Sequence, residues 1–104
     1  MAKIEPITDW KVLAGTSFQG GIIKSSIKKI AEALGVPTPA YEMGDKVHYE
    51  LDVLIDGSPC CIYDWKESDL VDEDTILSYH IGAKTRADSD KFVRIIKEAL
   101  LSKK

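Results

Sequence analysis

Asparagine is absent from this sequence, and cysteine and arginine each occur only twice. Without asparagine there is no acceptor for N-linked glycosylation, so nothing in the sequence supports a secreted protein. The two cysteines, Cys60 and Cys61, are neighbours, and adjacent side chains of an extended strand point to opposite faces. We therefore expect reduced thiols that share neither a disulfide nor a metal ion.

Long apolar runs are also missing. No stretch approaches the roughly 20 residues that span a bilayer, and the N-terminal segment lacks the apolar core of a signal peptide. We therefore expect a cytoplasmic protein without a membrane partner. The net charge of -3, the scarcity of arginine and the acidic stretch 67–74 argue against binding of polymeric DNA or RNA, because phosphates require a basic surface.

The length and composition indicate one globular domain over residues 1–104. A chain of 104 residues can bury a core, and 44% hydrophobic with 30% charged residues is typical of folded proteins. The spacing of apolar residues predicts an α+β fold. We expect a small antiparallel sheet of about five strands in ββαβββα order, with two amphipathic helices packed on one face.

The first half of that order comes from two kinds of periodicity. A short apolar run predicts a strand over 10–14, small polar residues predict a turn over 15–21, and a second extended piece follows at Ile22. Apolar residues at helical spacing then predict a helix over 23–34, with Ser25 or Ser26 as its N-terminal cap.

A β-hairpin is predicted in the middle of the chain. Apolar and polar residues alternate over 47–55, as in a half-buried strand. Asp56 and Gly57 favour a type I′ turn into a returning strand over 60–65. Pro59 indicates an edge or irregular position at the start of that second strand.

The last part of the chain predicts a strand and a helix. Apolar residues alternate over 77–82, and the segment from Phe92 to Leu100 carries a broad apolar stripe at helical spacing. Asp88 or Ser89 is the expected cap of this second helix.

Catalytic motifs are incomplete in this sequence. Residues 15–22 have the glycine spacing of a phosphate-binding Walker A loop, but Gly21 and Ile22 stand where lysine and a hydroxyl are required. The histidines and cysteines lack zinc-site spacing, and no serine has nucleophile-elbow glycines around it. We therefore expect no enzymatic activity, metal or cofactor, although a triad assembled only in space stays open.

Two segments indicate anion binding. Three lysines within 24–29 lie at the start of the first predicted helix, where positive charge is unfavourable unless an anion or acid is near. Glycines before that helix would let backbone N–H groups approach an anion, whereas the alternative is a solvated lysine face opposite Glu32. Residues 64–66 combine a carboxylate, an indole and an ammonium group, although Trp65 could equally belong to the core.

The sequence resembles a pattern found in small bacteriophage-encoded proteins. The shared segments, between Gly15 and Gly82, are GTSFQG at 15–20, LGVP at 34–37, DKV at 45–47, IYDWK at 62–66 and HIG at 80–82. Within that group, the functional analogy is with anti-defence proteins of the Thoeris type, which sequester cyclic nucleotide immune signals.

This resemblance implies a non-enzymatic homo-oligomer in the host cytoplasm that encloses a small cyclic nucleotide between protomers without cleaving it. Unpaired sheet edges independently favour at least a dimer. The side chains expected to bind the ligand are Thr16, Ser17, Gln19, Trp65, Lys66, His80 and Arg86.

Two alternatives stay open at this point. One is an inhibitor that binds a host defence protein or nucleic-acid enzyme directly, with the acidic stretch 67–74 as a nucleic-acid mimic or docking patch. The other is a small enzyme that acts on nucleotides.

Overall fold

The structure is a computed structural model, and it describes residues 3–7, 11, 15–40, 49–65 and 72–102. These residues form five strands and two helices: β1 (Ile4–Pro6), β2 (Ser17–Ser25), α1 (Ile27–Leu34), β3 (Glu50–Ile55), β4 (Ser58–Tyr63), β5 (Leu77–Ala83) and α2 (Arg86–Ser102). All strand pairs are antiparallel, and the sheet order is β1-β3-β4-β5-β2. The predicted α+β fold and its ββαβββα order are therefore confirmed.

Both helices cover one face of the sheet. Alternate residues of β3, such as Val53 and Ile55, are buried on that face together with Ile30 of α1 and Phe92 and Ile96 of α2. These side chains belong to one continuous hydrophobic cluster. Because burial of each large apolar side chain contributes roughly 1.5–3 kcal/mol, this single core stabilises the domain.

Helix α1 begins later than the sequence predicts. Residues 23–25 continue β2 as far as the pair Ser25 and Leu77, and Ile27 is the first helical residue. The spacing misleads here because Ile23 fits both the strand alternation and the helical period. The Ser26 cap is confirmed, since its Oγ accepts a hydrogen bond from Lys29 N at 3.2 Å.

The glycine-rich segment 15–21 is not the predicted turn, because Ser17 and the residues after it belong to β2. An irregularity between Phe18 and Gly21 interrupts the pairing with β5, and Gly20 has a φ of 97° there. The predicted strand over 10–14 lies, apart from Lys11, outside the described residues.

The predicted hairpin is confirmed, with Ile55 paired to Ser58 and positive φ values of 52° at Asp56 and 83° at Gly57. At its start β4 pairs with β3 alone, which agrees with the edge position expected from Pro59, although the strand as a whole lies between β3 and β5. Bonded and non-bonded pairs alternate in an antiparallel ladder, so Pro59 follows the bonded pair at the turn and needs no N–H toward β3. Pairing of β4 with β5 begins only at Cys61.

Helix α2 also begins before its predicted cap. Arg86 is its first residue, and Thr85 Oγ1 accepts a hydrogen bond from Asp88 N at 3.0 Å. Thr85 therefore caps the helix, and Asp88 and Ser89 lie within its first turn. Among the described residues, no helix combines the length and apolar character needed to cross a membrane.

Candidate functional site

Part of the predicted site lies on the sheet face opposite the helices, which we call the outer face. Because side chains alternate along each strand, this face carries Glu50 and Asp52 of β3, Cys61 and Tyr63 of β4, and His80 of β5. It also carries Gly82 of β5 and Phe18 and Ile22 of β2. Phe18 and Ile22 are exposed by 43% and 44%, which makes this face unusually apolar for an exposed surface.

Four aromatic side chains meet on the outer face. His80 stacks on Phe18 with ring centroids 4.3 Å apart and planes inclined by 21°. Trp65 lies on another side of His80, at 6.4 Å and 28°. Tyr63 is edge-on to both, at 6.2 Å from Trp65 and 5.7 Å from His80. The rings of Trp65 and His80 thus have similar orientations, with Tyr63 edge-on beside both, an arrangement we call the aromatic slot.

The dimensions of the aromatic slot suit a flat ring. A ring stacked between two others needs wall centroids about 7 Å apart, which is twice the usual carbon contact distance of about 3.5 Å. The observed 6.4 Å is close to this separation. Trp65 follows the end of β4 and is 40% exposed, so its indole is accessible to a ring that approaches from solvent.

A depression of about 250 Å³ adjoins the slot. It is lined by Thr16, Ser17, Glu50, Cys61, Tyr63, Trp65 and Gly82. Gly82 keeps its floor low, because a Cβ atom there would lie 3.2 Å from the Cys61 Cβ atom. The depression therefore joins aromatic surface, two hydroxyl groups and one carboxylate.

The Cys61 thiol at the floor of the depression is protonated at neutral pH. Burial, and then the nearby Asp52 carboxylate, raise its pKa to about 12. Burial likewise raises the pKa of the Cys60 thiol on the core face. Since the thiolate is the nucleophilic form, both groups are weak nucleophiles in this setting. Both are free thiols, as the sequence predicts.

A cation could be held beside this thiol. One potential ligand atom each from Glu50, Asp52 and Cys61 lie within 4.8 Å of one another. Asp52 Oδ1 is also buried without a hydrogen-bond partner among the described residues. Sequence spacing did not reveal this group because it is formed across two strands, through the direct pairing of Asp52 with Cys61.

The predicted site residues are brought together only in part. Thr16, Ser17 and Trp65 line the depression, and His80 forms a slot wall. Gln19 lies outside the lining and donates its Nε2–H to Ser17 Oγ at 2.8 Å. The two remaining predicted residues are Lys66, which is outside the described residues, and Arg86, which is the exposed first residue of α2.

Three contributors were missed by the sequence reasoning, namely Phe18, Glu50 and Tyr63. Glu50 and Tyr63 could have been found from the sequence. The alternation over 47–55 places Glu50 away from the core, and the hairpin turn fixes the pairing of Glu50 with Tyr63. Phe18 required knowledge of the β2–β5 pairing, which joins residues far apart in the chain.

The lysines at the start of α1 have an acidic partner within the chain. Lys28 Nζ lies 4.0 Å from both Glu73 Oε1 and Asp74 Oδ1, and its backbone N–H donates to Glu73 O at 3.0 Å. The glycines expected to expose N–H groups beside the helix, Gly20 and Gly21, instead belong to β2. Residues 73–74 therefore supply acidic partners for Lys28, the one lysine of the three for which the described contacts include an ion pair.

No protein-family model matches the chain, and neither a curated protein nor a solved structure matches it significantly.

Proposed function

We propose that this protein binds a small cyclic nucleotide and sequesters it without altering it. In that role it would act in the host cytoplasm as a phage anti-defence protein that removes an immune signal. The observation that supports binding is the aromatic slot, in which Trp65 and His80 stand 6.4 Å apart with their planes inclined by 28°. The sequestering role rests on the sequence resemblance.

Stacking supplies the affinity for the base. Each aromatic side chain stacked on a base contributes about 1–3 kcal/mol, whichever base is bound. Tyr63 lies edge-on beside both rings of the slot, and Phe18 stacks on His80. A base inserted between Trp65 and His80 would therefore meet apolar surface on three sides.

Polar groups for the sugar and phosphate lie at one end of the depression. The hydroxyls of Thr16 and Ser17 line it. Ser17 pairs with Ala83, and the exposed Lys84 and Arg86 follow Ala83 at the start of α2. A phosphate at this end would gain charge-assisted hydrogen bonds, which are stronger than neutral ones.

The size of the depression supports an oligomeric site. Its volume of about 250 Å³ lies below the roughly 300–1,000 Å³ typical of pockets that enclose a whole small molecule. One protomer would thus hold a base and leave the remainder of the nucleotide uncovered. We propose that a second copy of the chain completes the enclosure.

Calorimetry with cyclic mononucleotides, cyclic dinucleotides and cyclic ADP-ribose isomers tests this function. We expect one class to bind, and to be recovered unchanged after denaturation of the protein. Trp65→Ala and His80→Ala should each weaken binding by about 5- to 150-fold, the equivalent of one lost stacking contact. Leu101→Ala is the matched control, because Leu101 is an exposed apolar residue on α2, away from the slot.

Three results would contradict the proposal. Absence of binding by the whole panel would reject cyclic nucleotide capture, and recovery of a chemically changed ligand would indicate an enzyme. Light scattering that shows a mass of 11.5 kDa with ligand bound would reject the shared site.

A second candidate is direct inhibition of a host protein. The outer face exposes Phe18, Ile22 and Trp65 together, and apolar surface of this kind also suits a protein partner. Asp72 and Asp74, the exposed described part of the acidic stretch, could add charge complementarity. A partner that is captured by wild type and lost with Phe18→Ala, in the absence of nucleotide binding, would favour this function.

A further inference from the structure

The depression carries negative charge on one side, and aromatic stacking does not depend on that charge. Among its described lining residues, Glu50 is the single charged one. Asp52 follows on the same face of β3 and contributes a second carboxylate nearby. A phosphate placed beside these two carboxylates, rather than beside Thr16 and Ser17, would be repelled, whereas N–H donors would be attracted.

Glu50 is positioned at the inner side of the aromatic slot. It pairs directly with Tyr63, and Tyr63 pairs directly with His80, so the three residues form one row across β3, β4 and β5. Directly opposed side chains in an antiparallel sheet have Cβ atoms about 4.5–5.5 Å apart. The Glu50 carboxylate therefore starts beside Tyr63, and it lines the depression together with Trp65. A base that stacks on Trp65 and extends into the depression would present its edge to Glu50.

We infer that the site selects a guanine-type ring, with Glu50 accepting hydrogen bonds from its adjacent imino and amino N–H groups. This inference rests on the proposed function, because it identifies which base the aromatic slot takes. The base edge would face Glu50, while the sugar and phosphate extend toward Thr16, Ser17 and the start of α2.

The reason for this selectivity is the acceptor-only chemistry of a carboxylate. Guanine presents two neighbouring donors on its Watson–Crick edge, and both can bond to the two carboxylate oxygens. Adenine presents a ring nitrogen lone pair beside a single amino donor, so one carboxylate oxygen would face another acceptor. Glu50 already has another interaction within the chain, but a carboxylate offers about four acceptor positions and retains capacity for a ligand.

Titration calorimetry with cyclic GMP, cyclic AMP, guanosine and adenosine tests the inference. EDTA is included to remove any metal ion from Glu50, Asp52 and Cys61. We expect wild type to prefer the guanine compounds by about 5- to 150-fold, as for one good bidentate base contact. In Glu50→Gln this preference should collapse or reverse, because an amide offers one acceptor and one donor and so matches adenine.

Glu5→Gln is the matched control. Glu5 also lies on the outer face, but on β1, where it pairs with Leu54 and forms an exposed ion pair with Lys3 at 3.7 Å. This variant removes the same charge from the same face at a distance from the slot. We expect it to keep the wild-type preference.

The outcomes separate the inference from the proposed function. Equal binding of cyclic GMP and cyclic AMP, unchanged in Glu50→Gln, would overturn guanine selectivity and leave nucleotide capture intact. If guanosine binds more tightly than adenosine and as tightly as cyclic GMP, guanine selectivity would be supported and capture of a phosphate-bearing ligand would be overturned. Absence of binding by all four compounds would overturn the guanine selectivity, and the proposed function would be rejected with it only if the cyclic dinucleotides and cyclic ADP-ribose isomers also fail to bind.

Discussion

Comparison of Gly21→Ala with Gly82→Ala distinguishes residues that stabilise the fold from residues that line the proposed nucleotide site. The two glycines lie on neighbouring strands and face opposite sides of the sheet. A Cβ atom at Gly21 would lie 2.6 Å from Ser89 Oγ and 2.8 Å from Val93 Cγ2, both on α2. A Cβ atom at Gly82 would enter the depression, with Cys61 Cβ at 3.2 Å and Tyr63 Cε1 at 3.5 Å as its nearest neighbours.

These distances predict different costs. Contacts of 2.6 and 2.8 Å force α2 away from the sheet, and overpacking of this kind costs about 1–3 kcal/mol. For a domain of this size the melting temperature of Gly21→Ala should fall by roughly 4–24 °C. Gly82→Ala gains about 0.4–1 kcal/mol from the stiffer unfolded chain and loses a similar amount to its tight contact, so it should melt within about 5 °C of wild type.

Binding should show the opposite order. Gly82→Ala places its methyl group on the floor of the depression, so we expect its affinity for the cyclic nucleotide that binds wild type to fall on the order of tenfold. Gly21→Ala should keep the wild-type affinity at temperatures below its transition. Thermal melts by circular dichroism, together with calorimetric titration, measure both quantities. If Gly82→Ala melts as low as Gly21→Ala, or binds as well as wild type, the assignment of these two faces is refuted.

Two further outcomes follow from the described contacts. Ser26→Ala should lower the free energy of unfolding by about 1 kcal/mol, because it removes the hydrogen bond that caps Lys29 N. Ser25→Ala, within β2, should leave helix α1 capped. Equal loss of amide hydrogen-exchange protection in α1 for the two variants would contradict this. The Cys61 thiol, with a pKa raised from 9.0 to about 12, stabilises the fold fully below pH 9 and loses that contribution as the pH rises toward 12. Between pH 8 and pH 10.5, the free energy of unfolding in urea should therefore fall less for Cys61→Ala than for wild type. An equal fall in both proteins would show that the Cys61 thiol is not the cause.

Elements defined by local signals were predictable from the sequence. The Asp56 and Gly57 turn fixes the β3–β4 register without reference to the rest of the chain, and the apolar stripe of α2 matches its buried residues Phe92 and Ile96. The predicted start of α1 was wrong because two periods overlap at Ile23, which fits both the strand alternation and the helical spacing. Strand β1, with only three residues, carries too short a pattern to recognise.

The candidate site was predictable to a smaller extent for the same reason. Trp65 and His80 were predicted from their chemistry and their positions on strands, but the slot they form depends on the order of β4, β5 and β2 in the sheet. Glu50 was overlooked because its importance comes from its neighbour across the hairpin. Cross-strand adjacency is a property of the tertiary structure, and local spacing in the sequence specifies it only where a tight turn joins the two strands.

The place of β2 in the sheet has a consequence for the order of folding. Ser17 pairs with Ala83, 66 positions later in the sequence, whereas Ile55 and Ser58 are joined by a two-residue turn. Closing a long chain segment costs more entropy than closing a tight turn, so contacts between distant residues form late. The hairpin with Glu50 and Tyr63 therefore forms early, and the strand that brings Phe18 beside His80 docks near the end. A nascent chain would thus complete the aromatic cluster of the outer face only after residue 83 has emerged from the ribosome.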